Sequence, residues 1–216
     1  ILVLFGGRAM PLSEKIVKGC AAIIEAWYPG EEGGNALADI IYGKISPSAK
    51  LSVSSPNVEI NEPICYNYSD TKDPRIQWPF GYGLSYGTFE YSNLKVNSKA
   101  KTTDKSVTIS FDIKNTSYVK ADEIAQLYLS PTAKNQNIRP IQMQGFARVS
   151  LKAGETKTVS IKMYTEQFGF YTNTDGKRQW NIAPGKFTIK IGASSQDIKL
   201  DQDITLTGET VNKPLR

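Results

Sequence analysis

The sequence contains no histidine among its 216 residues. That absence excludes a Ser-His-Asp triad, a Cys-His pair and any histidine-ligated metal within the chain. Cysteine is scarce as well: Cys20 and Cys65 are the only two, without the spacing of a metal site, so they say little about redox compartment. The two could pair with each other, but lone cysteines commonly behave as small apolar residues, so the expectation is two free, buried thiols. No apolar run reaches the ~18 residues that a membrane-spanning helix needs. The apolar opening Ile1–Phe5 has no basic stretch before it and no small-residue cleavage site after it, so it is not a signal peptide. It reads as a buried strand entered midway, which implies that the natural N-terminus lies elsewhere.

What is present suits a soluble globular protein. Hydrophobic residues make up 40% and aromatics 10%, enough to fill a core. The net charge of +5 is unevenly spread. Residues 1–93 carry 7 basic and 10 acidic side chains, and residues 94–216 carry 19 and 11. Nucleic-acid binding wants clustered positive charge with exposed aromatics between. Here the lysines are scattered along alternating segments such as Lys186-Phe187-Thr188-Ile189-Lys190, the pattern of a solvated sheet face. Neither a nucleic acid nor a membrane is expected as a partner.

The two halves differ in periodicity. Ile1–Phe5 is a continuous apolar run, typical of a strand covered on both faces. Ser13 is placed to cap a short helix through Lys18. Ala21–Ala26 is a second strand-like run, and Trp27-Tyr28-Pro29-Gly30 turns the chain. A helix is expected from about Glu32 to Tyr42, with Leu37, Ile40 and Ile41 as its buried face and Gly43 as its stop. This rhythm implies a partial α/β domain with a parallel sheet. Residues 44–92 read as extended and irregular, and long loops of that kind are often functional. From Val107 onward apolar and polar residues alternate: Val107, Ile109, Phe111, Ile113; Val159, Ile161, Met163; Phe187, Ile189, Ile191. Turn signals at 114–117, 153–155, Asp175-Gly176 and Pro184-Gly185 separate them. About seven strands between Tyr91 and Leu206 suggest an all-β immunoglobulin-like or fibronectin type III-like sandwich, with its longest loop at Ser130–Ile141. The expected division is 1–92, an α/β portion with a loop-rich linker; 93–208, the β-sandwich; and 209–216, a loosely ordered tail.

Ala26-Trp27-Tyr28-Pro29-Gly30-Glu31-Glu32-Gly33-Gly34, continued by Ala38–Gly43 and Ser46–Leu51, is similar to the loop and helix of the C-terminal α/β sandwich domain of glycoside hydrolase family 3. Ala49 stands where the family usually has glycine. Gly6-Gly7-Arg8 with Pro11 resembles the preceding strand end, with Ala9 and Met10 interrupting the usual Gly-Arg-Pro. Pro79–Tyr86, Thr88–Tyr91, Gln126-Leu127-Tyr128 and Gly192–Ile198 extend the resemblance into the family's fibronectin type III-like domain. The resemblance implies retaining hydrolysis of β-linked glucosides or xylosides, by a nucleophilic Asp and an acid/base Glu. Both would lie upstream of Ile1, so no catalytic residue is assigned here and the chain alone is expected to be inactive. It implies no cofactor and no metal. As partners it implies the upstream barrel and the rest of the α/β domain, and a β-linked glycoside; a homodimer stays open. Family members are often secreted or periplasmic. The alternative is a non-catalytic carbohydrate-associated binding or scaffold protein built from the same modules.

Four residues are candidates for substrate contact: Arg8, Trp27, Glu32 and Trp78. Arg8 follows a strand's carboxyl end, where ligands of α/β sheets gather, although bracing a domain interface is the competing role. Trp27 and Trp78, like Tyr66, offer ring faces to sugars, and core packing is their alternative use. Glu31 and Glu32 suit a helix N-terminus, where the macrodipole favours negative charge, and adjacent helical residues point apart. Trp180 is read as core.

Overall fold

The computed structural model describes residues 1–57, 66, 73–132, 139–174 and 177–214. Cys65 and the turn at Asp175-Gly176 lie outside the described residues. The chain opens with β1 (Leu2–Leu4), α1 (Glu14–Gly19), β2 (Ile23–Glu25) and α2 (Gly33–Ile41). β1 and β2 form a parallel pair, Leu2 opposite Ile23 and Leu4 opposite Glu25. The Ser13 side chain accepts the Ile16 N–H at 3.4 Å and starts α1. Gly43, at φ +74°, takes the left-handed turn that ends α2, and its N–H bonds the Ile40 carbonyl at 3.0 Å.

Burial departs from expectation. β1 is half-buried, not covered on both faces, and Ile1 and Phe5 are exposed. The face of α2 carrying Leu37 and Ile40 is half-buried, and Ile41 is exposed. Cys20 is free and half-buried. A single pair of strands with two short helices has too few neighbours to cover its own apolar surface. Among the described residues before Ala100, Leu12 is the one buried apolar side chain.

A strap follows. β3 (Ser55–Pro56) and β4 (Ile76–Trp78) pair antiparallel, with Ser55 opposite Trp78. The other described residues of 44–88 are irregular, as the composition implied. The Gln77 side-chain amide donates to the Leu12 carbonyl at 3.1 Å and ties the strap to the loop after β1.

The rest is a β-sandwich. One sheet has the order β10 (Thr156–Tyr164), β7 (Ser106–Asn115), β5 (Phe89–Val96). The facing sheet runs β6 (Lys99–Lys101), β14 (Ile198–Thr207), β13 (Gly185–Gly192), β8 (Ala121–Pro131), β9 (Gln142–Leu151). The alternating residues read from the sequence meet between them: Ile109, Phe111 and Ile113 from one side, Leu127, Ile189 and Ile204 from the other. Each such side chain removed from water contributes about 2 kcal/mol, which is why the sandwich and not the α/β part holds the core. The two sheets contain eight strands, not seven, because short β6 adds an edge. A small third sheet of β11 (Phe170–Thr174), β12 (Lys177–Ile182) and β15 (Val211–Pro214) corrects the expectation of a loose tail. The free edge of β12 pairs the C-terminal segment, a long-range event without a local pattern. Trp180 packs against the core, as expected.

The strap docks on the outer face of the five-stranded sheet. On β8 the inward residues Ala125, Leu127 and Leu129 enter the core, yet outward Gln126 and Tyr128 are also buried, because the strap covers them. Tyr66 stacks on Phe80 with ring centroids 4.0 Å apart and meets Tyr128 edge-on. A buried ion pair, Lys50 Nζ to Glu123 Oε1 at 3.3 Å, bridges the layers. Lys50 also donates to the Gly83 carbonyl at 2.9 Å, and the Tyr91 hydroxyl donates to Glu123 at 3.1 Å. Burial pushes the Glu123 carboxyl above its usual 4.5, against the pull of Lys50 and Tyr91. Burial, with Glu123 beside it, raises the Tyr91 phenol beyond the ordinary range.

Removing one partner of a buried pair strands the other charge, so Glu123→Ala is expected to destabilise by about 3 kcal/mol in urea denaturation, and Lys50→Met with Glu123→Leu by clearly less. The folded state holds the Glu123 proton more tightly than the unfolded chain does. Its contribution is therefore fully present below pH 4.5 and lost as pH rises through the folded pKa. Wild type should lose stability relative to Glu123→Gln over that rise. In α2, a Cβ on Gly33 would lie 2.7 Å from the Pro29 ring, whereas one on Gly34 meets nothing within 4 Å. Gly33→Ala is expected to cost about 1–3 kcal/mol, and Gly34→Ala to gain about 0.5–1 kcal/mol, both read as shifts in the urea midpoint.

Candidate functional site at the carboxyl edge of the parallel strands

Because β1 and β2 run parallel, both end on the same edge, and the loops after them leave side by side. The pairing continues past the strands: Ala26 N–H bonds the Leu4 carbonyl at 2.9 Å and Gly6 N–H bonds the Trp27 carbonyl at 3.3 Å. Gly7 admits the Tyr28 ring, since a Cβ there would sit 3.0 Å from the Tyr28 hydroxyl oxygen. The Gly6–Arg8 and Trp27–Gly30 loops are thus packed on one another, and the edge presents an exposed guanidinium, the half-buried Trp27 and the exposed Tyr28.

Trp27 has φ +51°, a left-handed conformation that a bulky residue seldom adopts. Its N–H donates to Glu25 Oε1 at 3.3 Å. Strain of this kind costs about 1–3 kcal/mol and persists where neighbours over-determine it, often at ligand sites. Gly30, at φ +74°, then lets the chain enter α2.

The four candidate residues are not equally placed. Arg8 and Trp27 are brought together on this edge. Glu32 lies one turn further on, at the N-terminal cap of α2. Its carboxylate accepts the Asn35 side-chain amide at 2.6 Å and caps no backbone N–H. Trp78 is half-buried on β4, a separate ladder, joined to the Arg8 loop through the Gln77–Leu12 bond. Ser54 Oγ and Gln77 Oε1, flanking the Ser55–Trp78 pair, are buried without a hydrogen-bond partner among the described residues, an uncommon cost for polar atoms. Glu25 and Glu32 are each engaged within their own turn. Among the described residues no three His, Cys, Asp or Glu side chains converge as a metal site. No described helix is long and apolar enough to cross a membrane.

Sequence reasoning missed Tyr28 and Gln77. Tyr28 sits inside the motif that yielded Trp27, so its aromatic character was a usable signal. Gln77 carried none: a lone glutamine acquires its role only when the strap folds against Leu12.

The edge thus sets a cation and aromatic ring faces side by side on loops fixed by parallel strands. Comparison with known proteins agrees with this setting. Residues 1–86 match the glycosyl hydrolase family 3 C-terminal domain and residues 123–195 the fibronectin type III-like domain. The chain is similar to an exo-α-(1→6)-L-arabinopyranosidase of Bifidobacterium breve, 34% identical over 100% of this chain and 30% of that protein. A periplasmic β-glucosidase of Salmonella typhimurium is 34% identical over 92% of this chain and 28% of its own. The crystal structure of the Listeria innocua β-glucosidase in complex with glucose superposes with a TM-score of 0.85 at 29% identity, covering 96% of this chain and 31% of that one. The chain thus spans about 30% of the length of the proteins it matches. It belongs to glycoside hydrolase family 3, as that family's C-terminal α/β segment joined to a fibronectin type III-like domain.

Proposed function

We propose that this chain works as the C-terminal portion of a retaining β-glycosidase that releases terminal β-D-glucosyl or β-D-xylosyl residues. The nucleophilic Asp and the acid/base Glu come from preceding domains. In this reading residues 1–92 form part of the α/β layer and its linker, and residues 93–208 form the β module. The observation that carries it is the family match at the very loops that form the carboxyl edge of β1 and β2. Ligands of open α/β sheets bind at such edges. Arg8, Trp27, Glu32 and the strap's Trp78 are the substrate-contacting residues, with Arg8 donating to sugar hydroxyls and the indoles stacking on apolar sugar faces. The exposed apolar side chains of this half, Ile1, Phe5, Ile16 and Ile45 among them, supply surface for the rest of the α/β domain and the barrel to cover. One relative is named as periplasmic, which supports an exported enzyme.

The test compares the full-length gene product with the 216-residue chain on 4-nitrophenyl β-glucoside and β-xyloside. The full-length product is expected to turn over at least one with retained anomeric configuration, and the chain alone neither. In the full-length product Trp27→Ala is expected to raise KM about three- to tenfold, the size of a lost stacking contact. Turnover by the isolated chain, or inversion by the full-length product, sinks the reading. A full-length product that binds glycosides without cleaving them favours a scaffold role instead.

A further inference from the structure

We propose that Gln126 of the β module is a positioning residue that fixes the register of the 76–83 strap, and through it the placement of Trp78 and of the loop bearing Arg8. This rests on the glycosidase reading above and extends it to a residue that touches no substrate.

Gln126 is 1% exposed, yet it lies on the outward face of its sheet. Its side-chain nitrogen donates to the Gly81 carbonyl at 3.0 Å and to the Ala193 carbonyl at 2.8 Å. Its oxygen accepts the Tyr128 hydroxyl at 2.5 Å. Both amide hydrogens and the oxygen are used, and the two carbonyls and one hydroxyl fix which way the amide faces. The strap is shaped to receive it. Gly81 has φ +81°, and a Cβ there would lie 2.0 Å from Gln126 Oε1. The same stretch is held by Ser195 N–H on the Phe80 carbonyl at 3.0 Å and by Gly81 N–H on the Leu51 carbonyl at 2.7 Å.

The strap's other end reaches the site. Trp78 is three residues before Gly81, and Gln77 beside it holds the Leu12 carbonyl, four residues after Arg8. Stacked rings such as Tyr66 on Phe80 tolerate small slips, whereas a satisfied buried amide has one low-energy arrangement. The α/β half buries too little of its own surface to hold that register unaided.

The test uses the full-length gene product with Gln126→Met, which keeps side-chain length and removes both donors. Val159→Ala, in the core strand β10 away from the strap, serves as a destabilised control. Tyr128→Phe, which removes only the hydroxyl orienting the amide, carries the same readouts should Gln126→Met fail to fold. For Gln126→Met we expect KM for the aryl glycoside to rise about fivefold or more with kcat within about twofold, and backbone amides of 76–83 to exchange about tenfold faster. Val159→Ala should leave both unchanged. Unaltered KM and strap exchange in a folded Gln126 variant, or equal changes in Val159→Ala, overturn the proposal. If the wild-type protein cleaves no glycoside, the glycosidase reading fails, and strap exchange alone decides whether Gln126 sets the register.

Discussion

The docking of one irregular strap onto the outer face of a β-sheet is the constraint on which the rest of this structure depends. Outward positions of a sheet normally face water. Here β8 presents Gln126 and Tyr128 outward and buries both, and a glycine without a side chain lies against the amide. On the inward side of the same strand the Lys50–Glu123 pair, with Tyr91 and the Gly83 carbonyl, ties the strap down a second time. Such polar contacts add little net stability over apolar packing, since desolvation opposes the gain. What they supply is direction. Charges and amides have few satisfactory arrangements, so two layers joined by them meet in one way.

This matters because stability is unequally shared. The sandwich closes an extensive core between two sheets, with Ile109, Ile113, Leu127, Ile189 and Ile204 wholly buried. Among the described residues the α/β part buries one apolar side chain, Leu12. A two-stranded sheet with short helices is marginal in isolation. Its order is borrowed from the strap, which holds it at Leu12, and the strap is held by the β module. The candidate site thus stands on the weaker element and is steadied by the stronger one.

The site itself follows from parallel pairing. Strands aligned in one direction deliver their following loops to one edge, which brings the Gly6–Arg8 loop alongside the Trp27 turn although 18 residues separate Arg8 from Trp27 in sequence. The left-handed backbone at Trp27 is tolerated because Glu25 and the Gly6 N–H hold that turn from both sides. Placing an indole at a strained turn, above a glycine loop that admits the neighbouring Tyr28 ring, yields a surface that is shaped before any ligand arrives.

By itself the sequence determined whatever is local. Alternation at Val107–Ile113 and Phe187–Ile191 specified half-buried strands, Ser13 and Gly43 marked helix ends, and the absence of histidine removed whole classes of chemistry. Several short runs, Trp27–Gly34 among them, were together specific enough to indicate the family. Tertiary structure alone decided which apolar faces are covered, so that in Ile1–Phe5, read as a buried strand, Leu2–Leu4 are half-buried and both ends are exposed. It also decided that β15 pairs with β12, that Glu123 meets Lys50 across 72 intervening positions in the numbering, and that Gln77 and Gln126 carry the strap. The physical reason is the same in each case. Periodicity and capping act over a few residues, whereas burial and partnership depend on what the rest of the fold brings alongside.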